Sequence, residues 1–313
     1  MAPLRRKQQP MIVIHAVLPI FLIVALGRVI AATRLIDRSG WSAIERFGLF
    51  ILFPALIIDV LATASFEKST FSMLAALISG QLLMAAIGLL SQYWPGIGKQ
   101  AVAAIIQSNV RWHTFIGLSI AQAIFGNEGL ALLAVAAAGM IPTANLISIS
   151  AFASFSETPS SLRVRIGQVV TNPLILACFI GVLLNVLNTA PAGPFGDALG
   201  LVGQSAITVG LLTAGAAINF TSLQAHLVKV LVWSLIRVLA MPVLAVGLAH
   251  LFDITGLARS IMIVATATPT ASAGVILARQ LNGDAALAAN LIAMQVLLVV
   301  FTLPFMLWVF QAA

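Results

Sequence analysis

The stretch Thr266-Ala-Thr-Pro-Thr-Ala-Ser-Ala-Gly274 decides how this chain folds. It lies inside an apolar run, 257–280, that has the length of a membrane span. Pro269 removes one helical hydrogen bond and clashes with the preceding turn, and the small residues around it let another backbone approach. The stretch therefore predicts an interrupted transmembrane helix, with an ordinary proline kink as the alternative.

The composition of the whole chain favours a membrane protein. Of its 313 residues, 61% are hydrophobic and only 8% are charged, whereas soluble domains carry about 25% charged residues. A soluble protein of this size could not cover its surface with so few charges. Backbone groups in lipid must be paired internally, so each long apolar run is interpreted as a helix.

Ten such runs are separated by short connections, and no segment resembles a soluble domain. The predicted spans are 11–32, 41–62, 71–94, 101–125, 129–153, 167–188, 200–220, 227–250, 257–280 and 285–311. Arg5, Arg6 and Lys7 precede the first run as in a signal peptide, but the run is longer than a signal peptide requires. We therefore expect an uncleaved first helix.

The positive charges predict the orientation of these spans. One side of the membrane would hold eleven Lys and Arg residues, namely Arg28, Arg34, Arg38, Arg46, Lys99, Arg111, Arg163, Arg165, Lys229, Arg237 and Arg279. The other side would hold five, namely Arg5, Arg6, Lys7, Lys68 and Arg259. Both termini are therefore expected outside, in what we interpret as a bacterial inner (plasma) membrane.

An internal repeat is indicated when the sequence is shifted by 157 residues. Phe125-Gly-Asn-Glu-Gly-Leu-Ala131 then falls on Asn282-Gly-Asp-Ala-Ala-Leu-Ala288. The identity is weak, and coincidence among small residues would also produce it. Five spans in each half would give the halves opposite orientations, as in many secondary transporters. We therefore expect two inverted five-helix repeats, 1–157 and 158–313.

Polar residues in the fourth span are the first candidates for a functional site, because such residues are costly inside lipid. The segment is Asn109-Val-Arg-Trp-His-Thr-Phe-Ile-Gly117, and the shift by 157 places Trp112 opposite Pro269. Arg111 could bind an anion from an unwound helix, or could reach the membrane surface. His113 could contact a substrate, or could be a hydrogen-bonded structural residue.

The fifth span adds a third polar segment, Gly139-Met-Ile-Pro-Thr-Ala-Asn145. Asn145 could line the same cavity or join two helices by a hydrogen bond. Weaker candidates include Asp59, Arg237 and Gln295. Gly215 and Asn219 are interpreted as packing residues.

Several other functions find no support in the sequence. The segment Pro95-Gly-Ile-Gly-Lys-Gln100 does not fit a phosphate-binding loop, and neither His-Glu-x-x-His nor Gly-x-Ser-x-Gly occurs. Cys178 is a single cysteine in an apolar segment, which we interpret as a packing residue. No enzyme activity, cofactor, metal site or nucleic-acid partner is predicted.

The segments quoted above resemble the auxin efflux carrier family, which includes plant auxin carriers and bacterial malonate or malate carriers. The resemblance rests on 111–117 with 123–131, on Ile141-Pro-Thr-Ala-Asn145, on 267–272 with 277–284, and on Phe50-Ile-Leu-Phe-Pro-Ala-Leu56. Each motif is loose, but their order and spacing extend over the whole chain.

This resemblance implies a ten-helix fold in which spans four and nine are broken and cross near the membrane centre. Spans 1, 2, 6 and 7 would form a scaffold, and the others would move as an elevator-like transport domain. The implied substrate-binding residues are Arg111, His113, Thr114, Asn145, Pro269, Thr270 and Ser272. The implied crossover or hinge positions are Trp112, Pro142, Pro269 and Gly274. His113 departs from the family pattern, where bacterial relatives usually have Asn, and histidine titrates near neutral pH.

The sequence therefore predicts a secondary transporter for a small organic anion, such as a mono- or dicarboxylate or an auxin-like acid. The alternatives are a carrier like the bile-acid–sodium symporters and a membrane sensor that binds a ligand without moving it. Besides the anion and membrane lipid, the expected partners are a coupling ion, either proton or sodium, and a second copy of the chain in a homodimer.

Overall fold

The structure, a computed structural model, describes residues 9–64, 68–155, 172–218 and 227–310. Every regular element in these ranges is helical. Five of the described helical stretches are long and apolar enough to cross a membrane, namely Ser69–Tyr93, Lys99–Phe155, Gly193–Ala216, Leu227–Leu251 and Ala285–Val309. Shorter apolar helices cover Val17–Thr33, Pro173–Val186 and Gly256–Ala267. The expectation of an all-α membrane protein is confirmed.

The α-helices are numbered in chain order over the described residues. They are α1 (Gln9–Thr33), α2 (Arg38–Phe47), α3 (Phe53–Ala62), α4 (Lys68–Leu89), α5 (Lys99–Val110), α6 (Thr114–Phe155), α7 (Pro173–Val186), α8 (Gly193–Ala216), α9 (Leu227–Leu235), α10 (Met241–Leu251), α11 (Gly256–Ala267), α12 (Ala273–Gln280) and α13 (Ala285–Val309). The π-helical turn Gly48–Leu52 joins α2 to α3, and the π-helical turn Ile236–Ala240 joins α9 to α10.

Two of the predicted spans are interrupted near their middle. The first break is 111–113, between α5 and α6, and the second break is 268–272, between α11 and α12. Both bounds of α11 lie 157 residues after the corresponding bounds of α5, the offset that the sequence predicted. Thr268 is extended, with ψ 155°, because a residue before proline avoids the helical conformation. Arg111 is extended as well, with ψ 152°.

Helix α6 contains the second part of the fourth span and the whole fifth span. Gly126 separates them with φ 65° and ψ −154°, a conformation that glycine adopts without a steric penalty. Pro142 lies inside the later part of α6.

One predicted boundary was wrong. The seventh span was predicted to begin at residue 200, but α8 begins at Gly193. Pro194 stands in the first turn of α8, where its missing amide hydrogen has no helical partner to lose. The start of the sixth predicted span, 167–171, and Asn219 lie outside the described residues.

The outward side chains of the helices match a lipid environment. Helix α1 turns Val17, Ile20 and Val24 inward, where they are buried. Its opposite face exposes Leu18, Leu22, Leu26 and Val29, each by more than half. A continuous exposed apolar stripe of this kind is stable only against lipid or another apolar surface.

Helices α1, α3, α7 and α8 pack as one group through close backbone contacts. A Cβ atom at Gly215 would collide with the carbonyl of Val24, and one at Gly27 would collide with the carbonyl of Leu212. Gly203 approaches the backbone of Leu56 in the same way. Small residues allow this approach, which strengthens packing between helices in lipid. Gly215 is therefore confirmed as a packing residue, and Cys178 is likewise buried in this group.

Two cavities mark the opposite ends of the helices. A cavity of about 430 Å³ is lined by Lys99, Lys229, Asp284 and residues of 96–101 and 154–155, all at one set of connections. A cavity of about 680 Å³ is lined by Asp59, Glu128, Asp253 and residues of the alternate connections. Connections therefore alternate between the two ends as the predicted spans require.

Candidate functional site

The two breaks lie against each other in the interior. The backbone amide of His113 in the first break donates to Thr268 Oγ1 in the second break at 3.3 Å. The Gln107 side chain on α5 donates to the carbonyl of Gly274 at 2.9 Å. Polar groups at each break are therefore hydrogen-bonded to the other broken helix. Such partners are needed because a buried polar group without one is energetically unfavourable. We call the residues of both breaks and these contacts the crossover.

The second break is held by a network of buried side chains. The amide of Thr270 donates to Gln295 Oε1 at 2.8 Å, and Gln295 Nε2 donates to Ser108 Oγ at 2.8 Å. The hydroxyl of Thr270 donates to the carbonyl of Ser108 on α5. Thr270, Gln295 and Ser108 are all buried. Every one of these polar groups is used within the protein, so the network fixes the shape of the second break.

Arg237 connects the ends of both interrupted helices. Its Nε and Nη2 donate to the carbonyl of Arg111 at 3.2 and 2.9 Å, and its Nη1 donates to the carbonyl of Thr266 at 2.7 Å. The side chain is completely buried. The carboxyl ends of helices carry partial negative charge, so one buried cation stabilises both α5 and α11 at their breaks. Gln81 supports the same place by donating to the carbonyl of Val110.

Arg111 presents its guanidinium group beside the start of α12. Its Nη2 donates to Asn145 Oδ1 at 2.7 Å. A Cβ atom at Gly274 would lie 3.8 Å from Arg111 Cδ, so the side chain runs along the beginning of this short helix. Arg111 Nε is buried and has no hydrogen-bond partner among the described residues. The guanidinium group of Arg111 can therefore still donate hydrogen bonds to the oxygen atoms of a ligand.

His113 lies next to an aromatic contact between the start of α6 at the crossover and the group of α1, α3, α7 and α8. Its ring meets Phe115 edge to face at 5.6 Å, and Phe115 stacks on Phe53 of α3 at 3.7 Å. The side chain is 3% exposed, and Nδ1 has no hydrogen-bond partner within the described residues. A buried polar atom without a partner is unfavourable, so a bound ligand or water at this position would stabilise the protein.

An acidic side chain also reaches the crossover. The hydroxyl of Ser272, immediately before α12, donates to Glu45 Oε1 of α2 at 3.2 Å. Glu45 is half-buried and comes from the group of α1, α3, α7 and α8 to which α2 is joined. A carboxylate therefore already lies at the amino end of α12, where the helix dipole favours a negative charge.

Comparisons with known proteins point to membrane transport. Residues 154–307, which include the second break, match the sequence profile of a family described as membrane transport protein. A protein of Methanothermobacter thermautotrophicus, named as an uncharacterized transporter, is 24% identical over 306 residues, covering 94% of this chain and 96% of that protein.

These matches make the chain similar to membrane transport proteins. The match bears out, for 154–307, the resemblance to carriers that the sequence motifs indicated, and both comparisons support a transporter. The described residues contain no group of three His, Cys, Asp or Glu side chains that could hold a metal ion.

The crossover brings most of the predicted substrate-binding residues into one region. Arg111 and Asn145 are in direct contact, and Ser272 lies at the start of α12 with Gly274. His113, Thr114, Pro269 and Thr270 are buried at the two breaks, as is Trp112. Whether these residues bind substrate, and whether Pro142 is a hinge, stays a prediction.

Two important contacts were not predicted from the sequence. Arg237 was considered only as a weaker candidate, and Glu45 was not considered. Arg237 lies within the π-helical turn Ile236–Ala240, and Glu45 lies three residues before the π-helical turn Gly48–Leu52. Such turns frequently accompany functional positions. A signal was available for Glu45, because it is an acidic residue inside the predicted span 41–62.

Proposed function

We propose that the protein is a secondary active transporter for a small organic anion, such as a mono- or dicarboxylate or an auxin-like acid. The observation that carries the proposal is the Arg111 guanidinium, which lies beside the start of α12 and whose buried Nε has no partner in the described part of the chain. A guanidinium fork binds a carboxylate through two parallel hydrogen bonds. The amino end of α12 adds a favourable helix dipole for the same anion.

The charge balance at the crossover supports an anionic substrate. Arg237 is completely buried, but its donors are engaged by carbonyl groups, so it acts on the helix ends. Among the described residues, the side-chain partner of Arg111 is a neutral amide. In a low-dielectric interior an incompletely paired cation attracts a small anion strongly, and this attraction provides selection by charge.

The proposed movement is of the elevator type. The group of α1, α3, α7 and α8 would be stationary, while the crossover and the helices packed on it would slide across the membrane. The halves 1–157 and 158–313 would be inverted repeats, which is supported by the matching bounds of α5 and α11. The protein would lie in a bacterial plasma membrane with both termini outside. The excess of Lys and Arg on the inner side supports this orientation, and the excess persists when Arg111 and Arg237 are not counted.

Uptake into proteoliposomes tests the proposed function. Radiolabelled malonate, malate and indole-acetate are supplied separately to vesicles that contain the purified protein, with imposed pH gradients and membrane potentials. We expect saturable uptake of at least one acid that excess unlabelled acid suppresses. Absence of uptake and of exchange for all three acids, with folded protein in the vesicles, would contradict the proposal.

A further inference from the structure

The crossover contains a carboxylate at the place where the proposed substrate would bind. Glu45 accepts the hydroxyl of Ser272 at 3.2 Å, and Ser272 immediately precedes α12. The same end of α12 lies beside the Arg111 side chain, which approaches the Cβ position of Gly274. A substrate carboxylate held by Arg111 at the start of α12 would therefore lie close to the Glu45 carboxylate.

Two carboxylates in a partly buried site repel each other strongly unless one of them is protonated. A protonated Glu45 would no longer be an ionic acceptor for Ser272, so the Ser272 hydroxyl would become available to the substrate. The net charge at the crossover would then be unchanged, because the proton neutralises Glu45 when the substrate carboxylate binds.

Other charged or titratable groups on the crossover and on α1, α2, α8 and α12 include Arg111, His113, Arg279, Asp197, Arg28 and Arg46. Helix α8 runs antiparallel to α3, because Gly210 packs against Phe53 and Gly203 packs against Leu56. The first residues of α8, including Asp197, therefore lie at the end of α3 that is farther from α2 and Glu45. Glu45 is therefore the carboxylate on these elements that contacts the crossover.

We propose that Glu45 is a proton-binding site linked to the anion site, so that the organic anion binds together with one proton. This inference rests on the proposed function and adds the coupling ion to it. Glu45 belongs to the proposed stationary group and Ser272 to the proposed moving group. Their hydrogen bond must therefore break in each transport cycle, and uptake of a proton by Glu45 provides the means.

Calorimetric titration of the detergent-purified protein with malate and with indole-acetate tests the inference. The titrations run from about pH 6.5 to 8.5, where both acids are ionised, and in buffers of different ionisation enthalpy, which count the protons taken up. In the wild type we expect uptake of one proton per bound anion and an affinity that falls about tenfold for each pH unit. In Glu45→Gln we expect retained binding, no proton uptake, and an affinity that varies less than about twofold over the same range.

The matched control is Asp59→Asn, which changes a half-buried carboxyl further along the same span. It should keep the pH dependence of the wild type, and His113→Gln should keep it as well. Wild-type binding without proton uptake would overturn the inference and leave the proposed function intact. A pH dependence that persists in Glu45→Gln, or that disappears in His113→Gln, would also overturn it. Failure of the folded wild type to bind or transport any acid would instead refute the proposed function, and the inference with it.

Discussion

The two breaks occupy equivalent positions in the sequence but have different chemistry. In the second break, the polar groups of Thr270 and its partners Ser108 and Gln295 bind one another and are buried. In the first break, Arg111 keeps an unpartnered Nε and His113 an unpartnered Nδ1, within the described part of the chain. The difference indicates that the Thr270 part of the second break provides a rigid framework, and that the first break provides Arg111 and His113 as groups available to a ligand.

The largest effect on this framework is expected from Arg237→Met. Methionine would leave the carbonyls of Arg111 and Thr266 without their donors, and a buried acceptor without a partner costs about 1–3 kcal/mol. We expect a loss of about 2–5 kcal/mol in the free energy of unfolding, measured as a lower thermal transition in detergent. Arg279→Met, at an exposed arginine of α12, is the control and should change the transition little. A thermal transition of Arg237→Met equal to that of the wild type would show that Arg237 does not hold the breaks.

A smaller effect is expected from Gln295→Met. The change removes the partner of the Thr270 amide and of the Ser108 hydroxyl while keeping the size of the side chain. We expect destabilisation by about 1–3 kcal/mol, with little change in substrate KM for the protein that remains folded. Gln122→Met, at a half-buried glutamine that lines the larger cavity, should be close to wild type. A strongly raised KM with unchanged stability would mean that the Thr270 part of the second break also contacts substrate.

The smallest effect is expected from Gly274→Ala. The added Cβ would lie 3.3 Å from Gln107 Nε2 and 3.8 Å from Arg111 Cδ, so both side chains would have to shift slightly. We expect KM for the transported acid to rise about two- to fivefold, equivalent to about 1 kcal/mol or less. Gly247→Ala is the control, because nothing lies within 4 Å of its Cβ position. Equal KM values for the two variants would remove Gly274 from the anion site.

The positions of both breaks could be predicted from the sequence. Most of the side-chain contacts at the breaks could not. Pro269 and the shift by 157 residues indicate where the helices are interrupted, since both are local properties of the chain. The partners of Arg237 and Glu45 could not be predicted in this way. Arg237 contacts a carbonyl 126 residues away, and Glu45 contacts a hydroxyl 227 residues away. Such contacts depend on how helices pack, and apolar periodicity does not specify that packing.

The first break differs from the second also in how it is formed. Pro269 interrupts the ninth span by itself, but no proline lies in 111–113. The first break is held open by outside partners, since Arg237 binds the carbonyl of Arg111 and Thr268 binds the amide of His113. Interruptions of this second kind are recognisable only once the partners are known.

The most direct test of the central claim is the uptake of labelled acid by Arg111→Gln in proteoliposomes, beside Arg279→Gln as a variant with the same change of charge. A charged hydrogen bond contributes about 1.5–3 kcal/mol, so the account predicts that KM rises by about tenfold or more in Arg111→Gln. The thermal transition of Arg111→Gln should stay near that of the wild type, and Arg279→Gln should transport normally. Wild-type KM in Arg111→Gln, for an acid that the wild type transports, would contradict the assignment of the anion site to the first break.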